Sequence, residues 1–407
     1  MKYACYFLLF IPHIALAQSL EELYQAARKN VATLQQREYE VEIAKQEKWL
    51  TRSGSLPQLS FNYIERKQDD KGLSAFESDK QTTSVFTLSQ SLFEGGSEYY
   101  AFGIAKRLPK IAELEKYQAE IDLFQSVAAA FYRVLQLQKT AEILKEQEKT
   151  LEQQVRTIQQ RANIGRSKAT DVLASRSQLA RVTAELAQVE SQLEQAKLEL
   201  RSQTGVEKIE KLSDASDPLN MFVPPDWEHG LLQSPQIQAN ELLLEVSKKQ
   251  IGVARGSLLP SLDVEADYFL ERTGQFNEAE WVITLNANWE LFSGGGNYAQ
   301  KNIRDYEARI VAAQLGDLRR NIQYRFDSLK KEFQLQKDSI KKLDVAVKLA
   351  KQNYQEHLKE VNRGLVSQLD VLRVLQDYQQ IRRSYEQQKY ETKLTYIRLK
   401  SVAGVRP

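Results

Sequence analysis

The sequence predicts a mainly α-helical protein with a membrane β portion, built as a tandem duplication of one structural unit. Three observations support this fold class: a motif that occurs twice, long helical stretches with heptad seams, and four short segments in which apolar and polar residues alternate. Together they predict long coiled-coil helical hairpins forming a tunnel, and four strands per chain that contribute to a β-barrel.

The duplication is visible in three pairs of matching segments. They are NIGRSKATDVL (163–173) with NRGLVSQLDVL (362–372), LFEGG (92–96) with LFSGG (291–295), and Leu56-Pro57 with Leu259-Pro260. The first two pairs lie 199 residues apart and the third lies 203 apart, as expected if one loop differs in length by four residues. Self-similarity at a fixed offset is the signature of a repeated structural unit.

The ends and the middle of the chain set the boundaries of the repeats. Lys2, the apolar run 4–16 and the triplet Ala15-Leu16-Ala17 predict a cleavable signal peptide at residues 1–17. The segment DPLNMFVPPDW (217–227) is rich in proline and cannot continue a helix. We therefore expect a first repeat at 18–216, a linker at 217–234 and a second repeat at 235–407.

Each repeat has the predicted order helix, two strands, long helix, turn, helix. In the first repeat, helices are expected over 19–50, 103–162 and 167–203, and strands over 58–66 and 82–93. In the second, helices are expected over 235–254, 297–361 and 367–402, and strands over 261–272 and 281–292.

The helices carry narrow heptad seams, in which apolar residues alternate spacings of three and four. One seam consists of Leu179, Val182, Leu186, Val189, Leu193, Ala196 and Leu200, and another of Ile340, Leu343, Val347, Ala350, Tyr354, His357 and Val361. Such stripes indicate coiled-coil packing between neighbouring helices. At about 1.5 Å per residue, the helices expected over 103–162 and 297–361 are rods of roughly 90 to 100 Å.

The strands alternate in a way that is typical of a barrel wall in a membrane. Apolar residues occupy one face of segment 281–292, and polar residues occupy the other. The predicted aromatic girdle comprises Tyr268, Trp281 and Trp289, and the predicted lumen residues are Asp263, Glu265, Asp267, Asn286, Asn288 and Glu290. A soluble antiparallel sheet with one face on a core is the alternative, but it needs a covering layer that thin-seamed coiled coils do not supply.

Four strands cannot close a barrel alone, because every strand edge in a bilayer must be paired and the smallest usual barrels have about eight strands. Several chains must share one barrel. A trimer supplies twelve strands, and its helical rods can surround a hollow cylinder.

Composition gives no support for an enzyme or for nucleic-acid binding. Lys and Arg number 56 against 54 Asp and Glu, and the only cysteine, Cys5, lies inside the predicted signal. His229 and His357 follow no metal-ligand or nucleophile-base spacing. We expect no cofactor, no metal and no catalytic residue, and we leave open whether His357 makes the turn sensitive to protons.

The duplicated order of elements, the Gly-Gly after each strand pair and the paired turn motifs resemble the TolC-like outer-membrane efflux proteins. The resemblance covers the whole predicted mature chain. It implies a homotrimer with a twelve-stranded barrel in outer-membrane lipid and an α-helical tunnel in the periplasm. It also implies a periplasmic adaptor and an inner-membrane pump that engage the helical turns and drive export.

The resemblance assigns roles to the two turns, which we call the tips. It implies adaptor contact at Asn163, Gly165, Arg166, Asn362, Gly364, Leu365 and Ser367, and an acidic aperture gate at Asp171 and Asp370. From the residues alone, the glycines are equally explained as helix C-caps and the aspartates as helix-start residues. Where some family members have a second acid this chain has Arg373, and where some lock the tip with Tyr and Arg it has Val361 and Val366.

The predicted function is a passive exit duct of a tripartite efflux or type I secretion system. The alternative is a soluble periplasmic coiled-coil adaptor, which would also be secreted, helical and partner-binding. An adaptor should lack the alternating pattern from Trp281 to Leu291.

Overall fold

A computed structural model describes residues 18–67, 80–209, 211–273 and 279–405. The predicted signal peptide at 1–17 lies outside these ranges. The chain folds into two compact units, and each draws on both halves of the sequence. The first unit takes the chain up to Leu34, Ala119–Leu231 and the chain from Ile322, and the second takes Gln35–Gln118 and Leu232–Asn321.

Nine α-helices and four β-strands are found in the described residues. The helices are α1 (Leu20–Asn30), α2 (Ala32–Ser53), α3 (Ser97–Ala105), α4 (Leu108–Asn163), α5 (Ala169–Thr204), α6 (Asp226–Gly230), α7 (Pro235–Gly256), α8 (Gly296–Arg363) and α9 (Gln368–Val402). The strands are β1 (Gln58–Lys67), β2 (Lys80–Glu94), β3 (Ser261–Thr273) and β4 (Trp281–Asn288). The predicted fold class, mainly helical with four strands, is confirmed. Among the described helices, none is both long enough and apolar enough to cross a membrane.

The first long helix is broken where a single helix is predicted over 103–162. Helix α3 ends at Ala105 and α4 begins at Leu108, just before Pro109. Proline has no N–H to bond the carbonyl four residues earlier, and its ring clashes with that carbonyl. The matching residue in the second half is Ala308, and α8 is continuous from Gly296 to Arg363.

The opening helix is also interrupted, although a continuous helix is predicted over 19–50. Val31 adopts an extended conformation, with φ −85° and ψ 119°. Beside it, the Asn30 Nδ2 donates to the Thr204 carbonyl at 3.2 Å. That carbonyl lies in the last turn of α5, which leaves carbonyls without intrahelical partners. A contact with a distant helix thus accompanies the break between α1 and α2.

The core of the first unit lies among α1, α4, α5 and α9. Phe131, Val127, Leu144 and Leu200 are fully buried in it. The predicted seam on α5 is confirmed, because Val182, Leu186, Val189, Ala196 and Leu200 are buried and Leu179 and Leu193 pack against the core. The seam on α8 is covered less completely. Ile340 and Val361 are buried, whereas Leu343, Val347 and Ala350 are half-buried.

The second unit contains one four-stranded antiparallel sheet with strand order β1-β2-β3-β4. Strands β2 and β3, which belong to different halves of the sequence, are neighbours. Two glycines follow the strand pair of each half, and all four have positive φ: Gly95 (63°), Gly96 (79°), Gly294 (64°) and Gly295 (86°). Glycine is favoured there because a Cβ disfavours left-handed backbone.

A buried ion pair in the first unit joins the segment just before the linker to α9. Lys393 Nζ on α9 lies 2.9 Å from Asp214 Oδ2, and their side chains are 4% and 14% exposed. Burial raises the pKa of Asp214, but hydrogen bonds from Ser216 and Lys393 outweigh this and hold the pKa below its usual range. The Lys393 ammonium also faces the rings of Tyr132 and Tyr390.

We predict that Lys393→Met lowers the free energy of unfolding by about 3 to 5 kcal/mol, because it leaves the Asp214 charge buried without its partner. Chemical denaturation of the purified protein measures this. Lys145→Met, which removes an exposed lysine paired with Glu190, is the control and should cost about 1 kcal/mol or less.

Because the pKa of Asp214 is lowered on folding, its stabilisation is present above the unfolded pKa of about 3.9 and disappears as the pH falls through the folded value. The stability difference between wild type and Asp214→Asn should therefore shrink below about pH 4. A pH-independent difference would contradict the assignment.

Candidate functional site

One face of the sheet is apolar across all four strands. The pairing register places Phe61, Phe86, Tyr268 and Trp281 in one row, and Leu59, Leu88, Ala266 and Ile283 in the next. The rings of Phe61 and Phe86 lie 5.0 Å apart. In the single chain this face is uncovered, and Leu59, Trp281 and Ile283 are each more than 60% exposed.

The opposite face of the sheet is polar. Its rows are Gln58, Ser89, Glu265 and Thr284, then Ser60, Thr87, Asp267 and Val282. Ser91, Asp263 and Asn286 form a third row. The Thr87 Oγ1 donates to Asp267 Oδ1 at 2.6 Å. Three carboxylates therefore follow one another along this face of β3.

Most of the residues predicted for the strands lie on the faces that the alternation assigns to them. Tyr268 pairs with Trp281 on the apolar face, whereas Asp263, Glu265, Asp267, Asn286 and Asn288 are on the polar face. The apolar face also contains four residues that were not predicted as site residues: Leu59, Phe61, Phe86 and Leu88. Their period-two spacing, together with the duplication, is the signal that identifies them.

Trp289 and Glu290 are exceptions, because the strand predicted over 281–292 ends at Asn288. Asn288 pairs with Ser261, the first residue of β3. Beyond this point β4 has no partner strand within the described chain. Trp289 Nε1 instead donates to the Leu258 carbonyl at 3.2 Å, and Glu290 Oε2 accepts from Asn297 Nδ2 at 3.0 Å.

The two tips belong to the other unit and share one backbone geometry. Gly165 and Gly364 have φ of 74° and 77°. At the first tip, the Gly165 and Arg166 N–H groups donate to the carbonyls of Ala162 and Arg161. At the second, Gly364 and Leu365 donate to Val361 and Glu360 in the same pattern. This is a glycine C-cap in which two N–H groups satisfy carbonyls of the last turn.

The tip aspartates begin the returning helices. The Ser367 Oγ accepts from the Asp370 N–H at 3.2 Å, while Asp370 Oδ2 accepts from the Ser367 N–H at 3.1 Å. This reciprocal pair is a capping box at the start of α9. The hydroxyl and N–H of Ser367 hold the pKa of Asp370 below its usual range. At the first tip, Asp171 Oδ2 accepts from Ser167 Oγ and from the Lys168 N–H.

The remaining tip residues are mostly exposed. Asn163 and Arg166 are exposed on the first tip, and Leu365 is 70% exposed on the second. The side chain of Asn362 lies outside the described part of the chain. Ile164 and Leu173, which were not predicted as site residues, are also exposed apolar side chains. The sequence signal for Ile164 is its position directly before Gly165, and Leu173 lies in the first turns of α5.

His357 lies on α8 just before the second tip and is half-buried. Its Nδ1 lies 3.0 Å from the Asn353 carbonyl one turn earlier. This contact is local to α8.

Comparisons with known proteins agree with this geometry. A family described as outer membrane efflux protein matches residues 23–206 and 228–405. No curated protein sequence matches the chain. Similar solved structures include the outer membrane protein VceC from Vibrio cholerae, with 18% identity, a TM-score of 0.84, and coverage of 95% of this chain and 96% of that one.

Two further channels have similar folds. The open-state MtrE outer membrane channel of Neisseria gonorrhoeae has 17% identity and a TM-score of 0.83, with 95% of this chain and 89% of that chain covered. The CmeC outer membrane channel of Campylobacter jejuni has 16% identity and a TM-score of 0.81, with 95% and 85% covered. At these identities the likeness concerns the fold.

The capping box leads to a prediction about the second tip. Ser367→Ala removes the oxygen that accepts from the Asp370 N–H and should destabilise the first turn of α9 by about 1 kcal/mol. Amide hydrogen exchange in residues 368–371 should accelerate accordingly. The matched control is Ser191→Ala, an exposed serine inside α5, which should not accelerate exchange there. Unchanged protection in Ser367→Ala would show that the box does not hold the turn.

Proposed function

Because the chain belongs to the outer membrane efflux protein family, we propose that three copies form a channel in the bacterial outer membrane. The channel passively conducts substrate from a periplasmic adaptor and an inner-membrane pump to the exterior. It performs no reaction and needs no cofactor. The observation that carries the proposal is the sheet with one continuous apolar face and one polar face.

The apolar face suits contact with lipid. Across the four strands it presents aromatic and aliphatic side chains, and its opposite face presents hydroxyl, amide and carboxylate groups. A membrane barrel has this division, with apolar residues toward lipid and polar residues toward a water-filled lumen. On this basis Tyr268 and Trp281 contact lipid, and Asp263, Glu265 and Asp267 face the lumen.

The edges of the sheet explain why several copies are required. Strands β1 and β4 are edge strands of the described sheet, and unpaired N–H and carbonyl groups cost several kcal/mol each in hydrocarbon. Joining β4 of one copy to β1 of the next removes these edges. Three copies of the four-stranded sheet supply twelve strands and a closed wall.

The tips suit contact with an adaptor. Each exposes a glycine turn with apolar side chains beside it, Ile164 at the first and Leu365 at the second. Apolar side chains at the end of a helical hairpin have no core to enter and are available to a partner. Asn163, Gly165, Arg166, Gly364 and Ser367 complete the proposed contact surface, together with Asn362 of the second turn.

The alternative function, a soluble periplasmic coiled-coil adaptor, agrees less well with the sheet. A soluble sheet needs a layer over its apolar face, because a large exposed apolar patch favours association or aggregation. Trp281, Ile283 and Leu285 are each exposed by more than 60%. An adaptor would have to cover them with another protein.

A pair of neighbouring arginine substitutions tests the membrane assignment. Leu285→Arg places a charge on the apolar face and should cost about 2 to 4 kcal/mol near the bilayer midplane. Asn286→Arg points to the polar face opposite Asp263 and should be tolerated. The measurement is the amount of detergent-resistant trimer in the outer-membrane fraction. Equal tolerance at both positions would remove the barrel assignment, and a wild-type protein recovered as soluble periplasmic monomer would favour the adaptor.

A conductance measurement tests the proposed gate at Asp171 and Asp370. Three Asp370 carboxylates around a narrow aperture would attract cations. Asp370→Asn should then lower cation preference in planar bilayers without lowering trimer yield, and Asp171→Ala with Asp370→Ala should raise basal conductance. Unaltered preference in Asp370→Asn, at normal protein levels, would leave Asp370 as a helix-start residue only.

A further inference from the structure

We propose that neighbouring copies dock where the strands pass into the helices, through a contact between α2 of one copy and the first turns of α8 of the next. This contact repeats the α3–α7 contact inside each chain, but with the sizes of the touching side chains exchanged. The inference rests on the proposed ring of three copies and names the residues that join them.

The α3–α7 contact is close because glycines on α7 receive side chains from α3. A Cβ placed on Gly252 would lie 2.5 Å from ring carbons of Tyr100, and one placed on Gly256 would lie 2.7 Å from the Ser97 Cβ. Both distances are too short for real side chains. The large partner is therefore on α3, and the space for it is on α7.

The duplication identifies the matching residues of α8 and α2. With the 199-residue offset, Tyr100 corresponds to Ala299 and Ser97 to Gly296. With the 203-residue offset before the strands, Gly252 corresponds to Trp49 and Gly256 to Ser53. Where Tyr100 on α3 faces Gly252 on α7, Ala299 on α8 would face Trp49 on α2. Where Ser97 on α3 faces Gly256 on α7, Gly296 on α8 would face Ser53 on α2. At both positions the larger side chain has moved to the other helix.

These matching surfaces are uncovered in the single chain. Gly252 is buried, whereas Trp49 is 61% exposed; likewise Val246 is 7% exposed and its counterpart Ile43 is 56% exposed. A Cβ on Gly294, Gly295 or Gly296 would meet no atom within 4 Å among the described residues. A second copy would cover this surface.

A polar contact beside the α3–α7 contact has a polar counterpart in the proposed α2–α8 contact as well. Arg107 lies between α3 and α4, and its Nε is 2.6 Å from Glu245 Oε2 on α7. The corresponding residues are Tyr306 on α8 and Glu42 on α2. A tyrosine hydroxyl can donate to a carboxylate, so the position retains a donor and an acceptor.

The early end of β4 has the same explanation. The last residues of β2, from Gln90 to Glu94, lie beyond the end of the β1 pairing and pair with β3. Their counterparts are residues 289–293, for which the matching partner is β1 of a second copy. Pairing with that strand would extend β4 through Trp289 and Glu290, over the range that the alternation predicts.

Size complementarity favours a second copy of this chain over lipid or an unrelated protein. Lipid could cover Trp49 and Ile43, but it would not require Ala299 and Gly296 to be small. Both halves of the proposed contact are present in one sequence, and each compensates for the other at two positions.

Disulfide crosslinking tests the contact in full-length protein carrying Cys5→Ser. Ser53→Cys with Gly296→Cys should give covalent dimers and trimers after mild oxidation in isolated membranes. Co-expressed single variants should give covalent dimers but no trimers. Ser89→Cys with Glu265→Cys is the control, because these residues are opposite each other on β2 and β3 of one chain and should produce an internal crosslink only.

The outcomes separate this inference from the proposed function. A native mass of three chains without Ser53→Cys to Gly296→Cys crosslinks, when the control pair does crosslink, would overturn the α2–α8 contact and leave the channel standing. A monomeric native mass in membranes would overturn both. Crosslinking of Ser53→Cys to a cysteine far along the apolar face, such as Leu285→Cys, at an equal yield would also overturn the contact.

A size exchange provides a second test. Trp49→Gly alone and Ala299→Tyr alone should each lower the detergent-stable trimer roughly tenfold, the first by leaving a void and the second by a clash. The double variant Trp49→Gly with Ala299→Tyr recreates the residues of the α3–α7 contact and should restore trimer toward the wild-type level. A double variant that is no better than the worse single variant would contradict the pairing.

Discussion

The pairing of β2 with β3 is the interaction on which the second unit depends. It joins strands from the two halves of the sequence, and the chain between them includes α3 to α7. Antiparallel pairing fixes which residues are opposite one another, and a slip by one residue would move every side chain to the other face. The register that places Phe86 beside Tyr268 also places Thr87 beside Asp267. The β2–β3 ladder therefore makes the apolar face and the polar face continuous between the two halves of the sequence.

Patterns that depend on local periodicity could be predicted well from the sequence. The heptad seam on α5 is buried, and the alternation in β3 and β4 assigns side chains to the correct faces. Pro109 is a sequence signal for the interruption before it. The strong helical pattern on both sides nevertheless led to the prediction of one helix. The break at Val31 could not be predicted from a local signal, because it accompanies a contact between Asn30 and the end of α5.

The limits of sequence-based prediction are clearest at the two proposed functional regions. The end of β4 depends on which strand lies beside it, and that information is absent from the alternation itself. At the tips, the aspartates that indicate the start of a helix are the same residues that the resemblance implies for gating. Asp370 accepts a hydrogen bond from the Ser367 N–H at the start of α9. This structural role is compatible with a charge facing an aperture. Geometry within one chain identifies the cap, while a gate is a property of several chains together.

The exchange of large and small residues between the two junctions has a consequence for the fidelity of assembly. If α3 of one chain met α2 of another, Tyr100 would face Trp49 and the two rings would compete for one space. If the Ala299 surface of α8 met the Gly252 surface of α7 from another chain, two small residues would face each other and leave a gap. Incorrect orders of joining are thus penalised by crowding in one case and by lost contact in the other. A duplicated gene whose halves had remained identical would lack this discrimination, so divergence at a few positions can convert two interchangeable halves into a chain that closes in one order only.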